Sequence, residues 1–128
     1  MLMLDPIQTD AAPKAIGPYS QAIRCGNLVF LSGQIPLNPE TMAVDASDFR
    51  RAAHRVFLNL TAVCEAAGGT LAQILKLTIY LTNLNDFAVL NEVMMEYFQE
   101  PYPARSTIQV AALPKDVAIE IDAVMTLE

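Results

Sequence analysis

Between Phe49 and Thr82 the apolar residues change their spacing, and that change decides most of what this chain can fold into. Phe49, Ala53, Val56, Phe57, Leu60, Val63, Cys64 and Ala67 recur at three- and four-residue steps with charged residues between them. That is the stripe of an amphipathic helix beginning near Ala46. Gly68-Gly69 ends it, since glycine accepts the helix C-terminal conformation without strain. Leu75, Leu77, Ile79 and Leu81 then alternate with Lys76, Thr78, Tyr80 and Thr82, the two-residue period of a strand with one apolar face. A helix and a strand in succession, each with one apolar side, bury those sides by stacking helix on sheet.

The same reading extends in both directions. Residues 11–18, with two prolines and a glycine, form an extended lead-in; residues 19–24 and 27–33 are strands around a turn at Cys25-Gly26-Asn27. Residues 34–42 form a loop with a short return strand near Ala43. Asn85 or Asp86 caps a second helix with the stripe Phe87, Leu90, Met94, Tyr97 and Phe98, and Pro101 and Pro103 end it. Residues 104–113 and 117–127 are the last strands, joined by Pro114-Lys115-Asp116. The order β-β-α-β-α-β-β predicts an α+β fold: one mixed sheet with two helices packed on one face. No internal repeat, low-complexity tract or Gly/Pro/Ser-rich linker divides it, so residues 1–128 are expected to form a single domain.

Alternation assigns the strand faces. Ile108 and Val110, with Val117, Ile119 and Ile121, are expected toward the helices. Arg105, Thr107, Gln109, Glu120, Asp122, Thr78, Tyr80 and Val124 fall on the other side. An open face that carries Tyr80 and Val124 gains stability by association, which predicts a homo-oligomer.

Composition removes several function classes. With 53% hydrophobic and 17% charged residues the chain can offset its chain entropy by burial. No apolar run exceeds four residues, however, against the roughly 20 that a membrane-spanning helix needs. The start, Met-Leu-Met-Leu-Asp-Pro, has neither a basic leader nor a small-residue cleavage site, so a cytoplasmic protein is expected. The net charge is −6, and the excess lies in the second half, where nine acidic residues face three basic ones. Phosphate backbones are bound by clustered Lys and Arg. Only Arg50, Arg51 and Arg55 come close together, on the solvated side of the long helix, so no nucleic-acid partner is expected. Two cysteines and the lone His54 make neither a disulfide framework nor a zinc set.

Arg105 is the sharpest candidate for chemistry. It opens a strand behind Tyr102-Pro103-Ala104, and its planar guanidinium offers a bidentate fork to a carboxylate. On spacing alone a strand arginine is commoner in a structural ion pair than on a substrate. Glu120 is its natural mate in either role: touching, the two are a salt bridge; separated, one holds an anion while the other handles a proton. Tyr19 follows the rigid Gly17-Pro18, and Gly33 after Ser32 lets a ligand approach the backbone. Asn91 lies one residue off the second helix's stripe, as an exposed side chain or a pocket amide. Without a Gly-x-Ser-x-Gly elbow, and with His54 inside a helix, a serine nucleophile has no support. Cys25 and Cys64 read as inert small residues.

These residues together resemble the reactive-intermediate deaminase family, also called the YjgF/YER057c/UK114 family. The most specific stretch is Pro103-Ala104-Arg105-Ser106, followed by Ile108, Leu113 and Ile119-Glu120-Ile121. Residues 15–22 (Ala-Ile-Gly-Pro-Tyr-Ser-Gln-Ala) and 31–36 (Leu-Ser-Gly-Gln-Ile-Pro) support it. So do Asn59-Leu60, Ala66-Ala67-Gly68, Asp86-Phe87 and Asn91-Glu92, and the resemblance spans nearly the whole chain.

The resemblance implies a chorismate-mutase-like fold and a homotrimer with its sheets packed inward and a ligand cleft at each subunit interface. It also implies an activity that needs no cofactor: hydrolysis of enamine or imine intermediates, such as 2-aminoacrylate and 2-iminobutanoate, to 2-keto acids and ammonia. Pyridoxal-phosphate enzymes such as threonine dehydratase would release those intermediates. Arg105 matches the family arginine that binds the substrate carboxylate, and Glu120 the glutamate that positions the attacking water. Tyr19, Ser32, Gly33 and Asn91 match pocket positions. Thr107 stands where many members have cysteine, which leaves the backbone carbonyl there as the shared group. The glutamine that many members carry near the start of the long helix has no counterpart around residues 51–56. Two other readings stand beside deamination: a regulatory trimer that binds 2-keto acids without turnover, and a ribonuclease or translation inhibitor, which conflicts with the acidic balance.

Overall fold

The computed structural model describes residues 3–128, so Met1 and Leu2 of the segment read above for a leader lie outside the described residues. The chain runs β1 (Asp5–Ile7), β2 (Ala22–Cys25), β3 (Leu28–Gln34), α1 (Phe49–Ala66), β4 (Ile74–Leu81), α2 (Phe87–Met94), β5 (Ala104–Gln109) and β6 (Ile119–Thr126). The seven expected elements are present in the expected order. The addition is β1, three residues long with Pro6 at its centre, which pairs with β2 at the sheet edge.

The six strands form one mixed sheet in the order β1-β2-β3-β6-β4-β5, in which only β4 and β5 are parallel. That parallel pair exists because α2 lies between its two strands in the chain and crosses over the sheet. Both helices cover one face. Val56, Phe57, Leu60 and Val63 of α1 and Leu90 and Val93 of α2 close over Val29, Leu77, Ile79, Ile119, Ile121 and Met125, all fully buried. Tyr97 and Phe98 continue the stripe of α2 beyond its end at Met94, where Phe98 N–H bonds the Met94 carbonyl. Tyr97 there stacks on Phe57 with ring centroids 5.1 Å apart.

Local signals explain the element ends. Asp48 accepts the Arg51 N–H at 2.8 Å and starts α1; Gly68, at φ 96, ends it, with Gly69 N–H returning to the Cys64 carbonyl at 2.9 Å. Asp86 stands at the N-cap of α2, one of the two expected positions, but makes no side-chain cap bond; Asn83, whose side chain accepts the Asn85 N–H, caps the short turn before it. The return strand near Ala43 is an isolated bridge between Leu37 and Val44. β5 ends at Gln109 rather than 113, because its only neighbour, β4, ends at Leu81; Val110 N–H makes the last bond, to the Leu81 carbonyl.

Two face assignments change. Leu75, expected on the apolar side with Leu77, falls at the slip in the β4–β6 ladder between Ile74 and Lys76 and is 47% exposed. On β5 the faces reverse. In register, Arg105 lies beside Leu77 and Thr107 beside Ile79, both core residues, so Arg105 and Thr107 point to the helix side. Ile108 lies beside Tyr80 on the open side and is 45% exposed. The alternation misleads here because β5 is an edge strand. An arginine there can run its aliphatic stem along α2 while its charge stays near the edge.

Candidate active site

The side chains of the candidate site are set by two neighbourhoods on opposite faces of the sheet. The first is built where β3 meets β6. The ladder slips one residue between Leu31 and Gln34, a bulge that turns Ser32 and Gly33 out of regular pairing. A Cβ on Gly33 would sit 2.9 Å from Glu120 Cδ and 3.1 Å from Cγ, so the Glu120 side chain lies directly over this glycine. Glycine is therefore needed at 33 to make room for a carboxylate. Ser32 Oγ donates to the Ser20 carbonyl at 2.6 Å, which leaves its lone pairs to accept. The Tyr19 hydroxyl accepts the Ile16 N–H at 3.2 Å and keeps its own proton to donate, on a side chain 50% exposed. Tyr19, Ser32, Gly33 and Glu120 all line one cavity of about 530 Å³.

Burial pushes the Glu120 carboxyl above the usual carboxylate range, and the negative charge of Asp122, two residues along on the same face, adds to the shift. Asp122 is held by the Tyr80 hydroxyl, which donates to it at 2.9 Å. A carboxylate moved toward neutrality is better suited to exchanging a proton with a reacting group.

The second neighbourhood lies at the junction of β5 and α2. Arg105 Nη1 donates to Asn91 Oδ1 at 2.7 Å and lies 3.7 Å from the Met94 sulfur, while the guanidinium carbon sits 5.0 Å from the centre of the Phe87 ring. An aromatic face and a neutral amide hold the cation in place without neutralising it. Among the described residues no carboxylate lies within ion-pair distance of Arg105, so the structural salt bridge that spacing alone favoured is not formed. With Nη1 engaged, the Nε and Nη2 edge remains for a bidentate anion. Arg105, Asn91 and Met94 line a separate cavity of about 410 Å³ with Met95, Tyr102 and Pro103. Thr107, two residues along on the same side of β5, has a buried hydroxyl with no hydrogen-bond partner among the described residues.

Arg105 and Glu120 do not meet within one chain. Arg105 stands beside Leu77 and Glu120 beside Tyr80, and these two positions, three apart on β4, point to opposite faces. The structure thus brings Tyr19, Ser32, Gly33 and Glu120 together, and separately Arg105 and Asn91.

Two residues outside the candidate set, both in stretches that carry the family resemblance, also shape the site. Gln21 is buried, accepts the Thr9 N–H and donates to the carbonyls of Thr9, Ala12 and Pro13, which fixes the lead-in that walls the first cavity. Asn59, on the buried side of α1, donates to the carbonyls of Ile35 and Leu37 and ties down the loop after β3. A buried amide at a core position is the sequence signal that finds both. The remaining chemistry-bearing residues are inert here. Burial pushes the Cys64 thiol up to about 12, and His54 bonds the Tyr97 hydroxyl at 2.9 Å.

The fold thus presents a half-buried arginine with no carboxylate partner among the described residues, and a desolvated carboxylate beside a bulge of an α+β sheet. A model of the family described as Endoribonuclease L-PSP matches residues 9–127, and the chain belongs to this family, the RidA/YjgF family. It is 51% identical over 118 residues to a RutC family protein of Pyrococcus abyssi, covering 92% of this chain and 93% of that one. It is 46% identical over 122 residues to the 2-iminobutanoate/2-iminopropanoate deaminase of Dermatophagoides farinae, covering 95% of each. Among solved structures, RidA from an Antarctic Psychrobacter superposes with a TM-score of 0.93 at 50% identity, covering 96% of this chain and 99% of that one. Escherichia coli TdcF with bound serine superposes with a TM-score of 0.92 at 44% identity, covering 97% and 99%. The chorismate-mutase-like α+β fold expected from the resemblance is the fold these structures share with this chain.

Proposed function

We propose that this protein, as one domain, hydrolyses reactive imines and enamines of short 2-amino acids, such as 2-iminobutanoate and 2-aminoacrylate, to 2-keto acids and ammonia. The observation that carries the reading is the Arg105 guanidinium, oriented by Asn91 and Phe87 and free of an internal anion among the described residues. Its Nε and Nη2 edge takes the substrate carboxylate in a fork that fixes both its position and its plane. A protonated imine is already electrophilic. Water adds to C2 as Glu120 accepts its proton, which gives a carbinolamine; Glu120 returns that proton to the nitrogen, and the C–N bond breaks to release ammonia as the hydroxyl gives up its proton to Glu120 and becomes C=O. Tyr19 donates to, and Ser32 accepts from, the polar atoms at C2. Nothing in these steps calls for a cofactor.

The site is completed by a second copy of the chain. Since Arg105 and Glu120 occupy opposite faces of one sheet, a substrate that touches both lies between two copies, one supplying Arg105 and Asn91, the other Tyr19, Ser32, Gly33 and Glu120. The open sheet face, with Phe30 51% exposed and Ile108 and Leu75 also exposed, supplies apolar surface for that association, which the family resemblance makes a homotrimer. Cys25 and Cys64 are free thiols, in keeping with a cytoplasmic setting beside the pyridoxal-phosphate enzymes that release such imines.

A ribonuclease reading has less support. Arg50 pairs with Glu92, and Arg51 and Arg55 share Asp45, so most of the charge of the single basic cluster is offset by its own neighbours. The deaminase reading is tested by coupling the purified protein to a threonine dehydratase and timing 2-ketobutanoate formation. Acceleration is expected, with a loss of at least about a hundredfold in Arg105→Ala, the size of a lost positioning group. No acceleration, or keto-acid binding without turnover, overturns it.

A further inference from the structure

The cavity around Glu120 carries more positive charge than the proposed chemistry uses. The chain has only three lysines, Lys14, Lys76 and Lys115, in a total charge of −6. Two of them, Lys14 and Lys115, line this one cavity, where Glu120 is the single carboxylate. Neither is ion-paired among the described residues. Exposed lysines are ordinarily only solvated charges, but here the backbone that presents each one is fixed. Gln21 Nε2 bonds the carbonyl of Pro13, directly before Lys14, at 2.8 Å. Lys115 is held in the left-handed region at φ 58 and ψ 24, followed by Asp116 at φ 55. Two consecutive non-glycine residues persist there only where the surroundings over-determine them, a condition that concentrates at ligand clamps.

We infer that Lys14 and Lys115 form a second anion site, which takes the side-chain carboxylate of a dicarboxylic imino acid whose α-carboxylate lies on Arg105. The inference rests on the deaminase reading and narrows its substrate class. A monocarboxylic imine has its one anion engaged by Arg105 and leaves both ammonium groups without a partner. Both lie on the wall of the cavity that holds Glu120, where C2 of the substrate reacts in the proposed mechanism. Two flexible ammonium stems at its wall can follow side chains of differing length. The reaction is unchanged: water adds across C=N, ammonia leaves, and the distal carboxylate takes no part.

Calorimetric titration with the stable product analogues 2-oxoglutarate and 2-oxobutanoate tests this. The protein should bind 2-oxoglutarate more tightly, and the ratio of the two affinities should fall about fivefold with each of Lys14→Met and Lys115→Met, the size of one exposed ion pair. Turnover of the imine of glutamate, generated by an amino-acid oxidase, should show the same preference. If 2-oxobutanoate binds and 2-oxoglutarate is not preferred, or if the variants weaken both ligands equally, the second anion site is overturned while the deaminase reading stands. If neither acid binds and 2-iminobutanoate is not turned over, both are overturned.

Discussion

At the scale of single residues, the positions that matter are those where a side chain is kept in an environment it would not choose. Glu120 is half-buried beside another carboxylate, and its ionised form is correspondingly disfavoured. As the base, it becomes available only as pH rises through that raised value. Asp122→Asn removes the second contributor, so ionisation becomes easier and the acidic limb of the kcat/KM profile should move to lower pH; an unmoved limb would show that Asp122 does not act on the base. Gly33 is coupled to the same carboxylate by space. Gly33→Ala displaces the far end of a flexible side chain rather than backbone, so the fold should survive while kcat falls by a factor of ten or more, within the usual contribution of a positioned base. Thermal unfolding beside the coupled assay separates the two effects. Glu120 and Gly33 were both visible in the sequence, but their contact was not. It depends on a one-residue slip between β3 and β6, whose two sides are some 90 positions apart in the chain.

At the scale of elements, the change of hydrophobic period locates α1 and β4 to within about three residues because each has a buried face to advertise. Elements without such a face were less legible. β1 is three residues long and mostly exposed, and β5, paired on one side only, has no continuous buried row, so alternation alone turns its faces the wrong way. The orientation bears on function, since it puts Arg105 against α2 and away from Glu120. Elements also position the cavity wall. Asn59 on α1 holds the Ile35 and Leu37 carbonyls; Asn59→Ala leaves the Leu37 carbonyl without that partner at a largely buried junction, while the Ile35 carbonyl keeps the Leu37 N–H. We expect a loss of about 1–3 kcal/mol in urea unfolding, together with a raised KM as the loop after β3 loosens. A stability loss with KM unchanged would confine Asn59 to a structural role.

At the scale of the whole molecule, the separation of Arg105 from Glu120 makes an oligomer a requirement of the proposed reaction. On that proposal Arg105 takes an anion on one face of the sheet and Glu120 accepts a proton on the other, and a four-carbon acid is too small to span a sheet and reach both. The exposed apolar side chains of Phe30, Leu75 and Ile108 are surface that another copy can cover, and the proposed association would bring the two halves of the site together as it buries them. This has a quantitative consequence. Arg105→Ala and Glu120→Gln should each be nearly inactive alone. If the two are unfolded, mixed in equal amounts and refolded together, each site draws its arginine from one chain and its glutamate from another at random. About one site in four then has both native residues, and activity should return to about a quarter of wild type, with light scattering reporting an unchanged assembly. Were the two residues of a site supplied by the same chain, no mixture would recover activity, and the two-copy site would be refuted whatever the size of the oligomer.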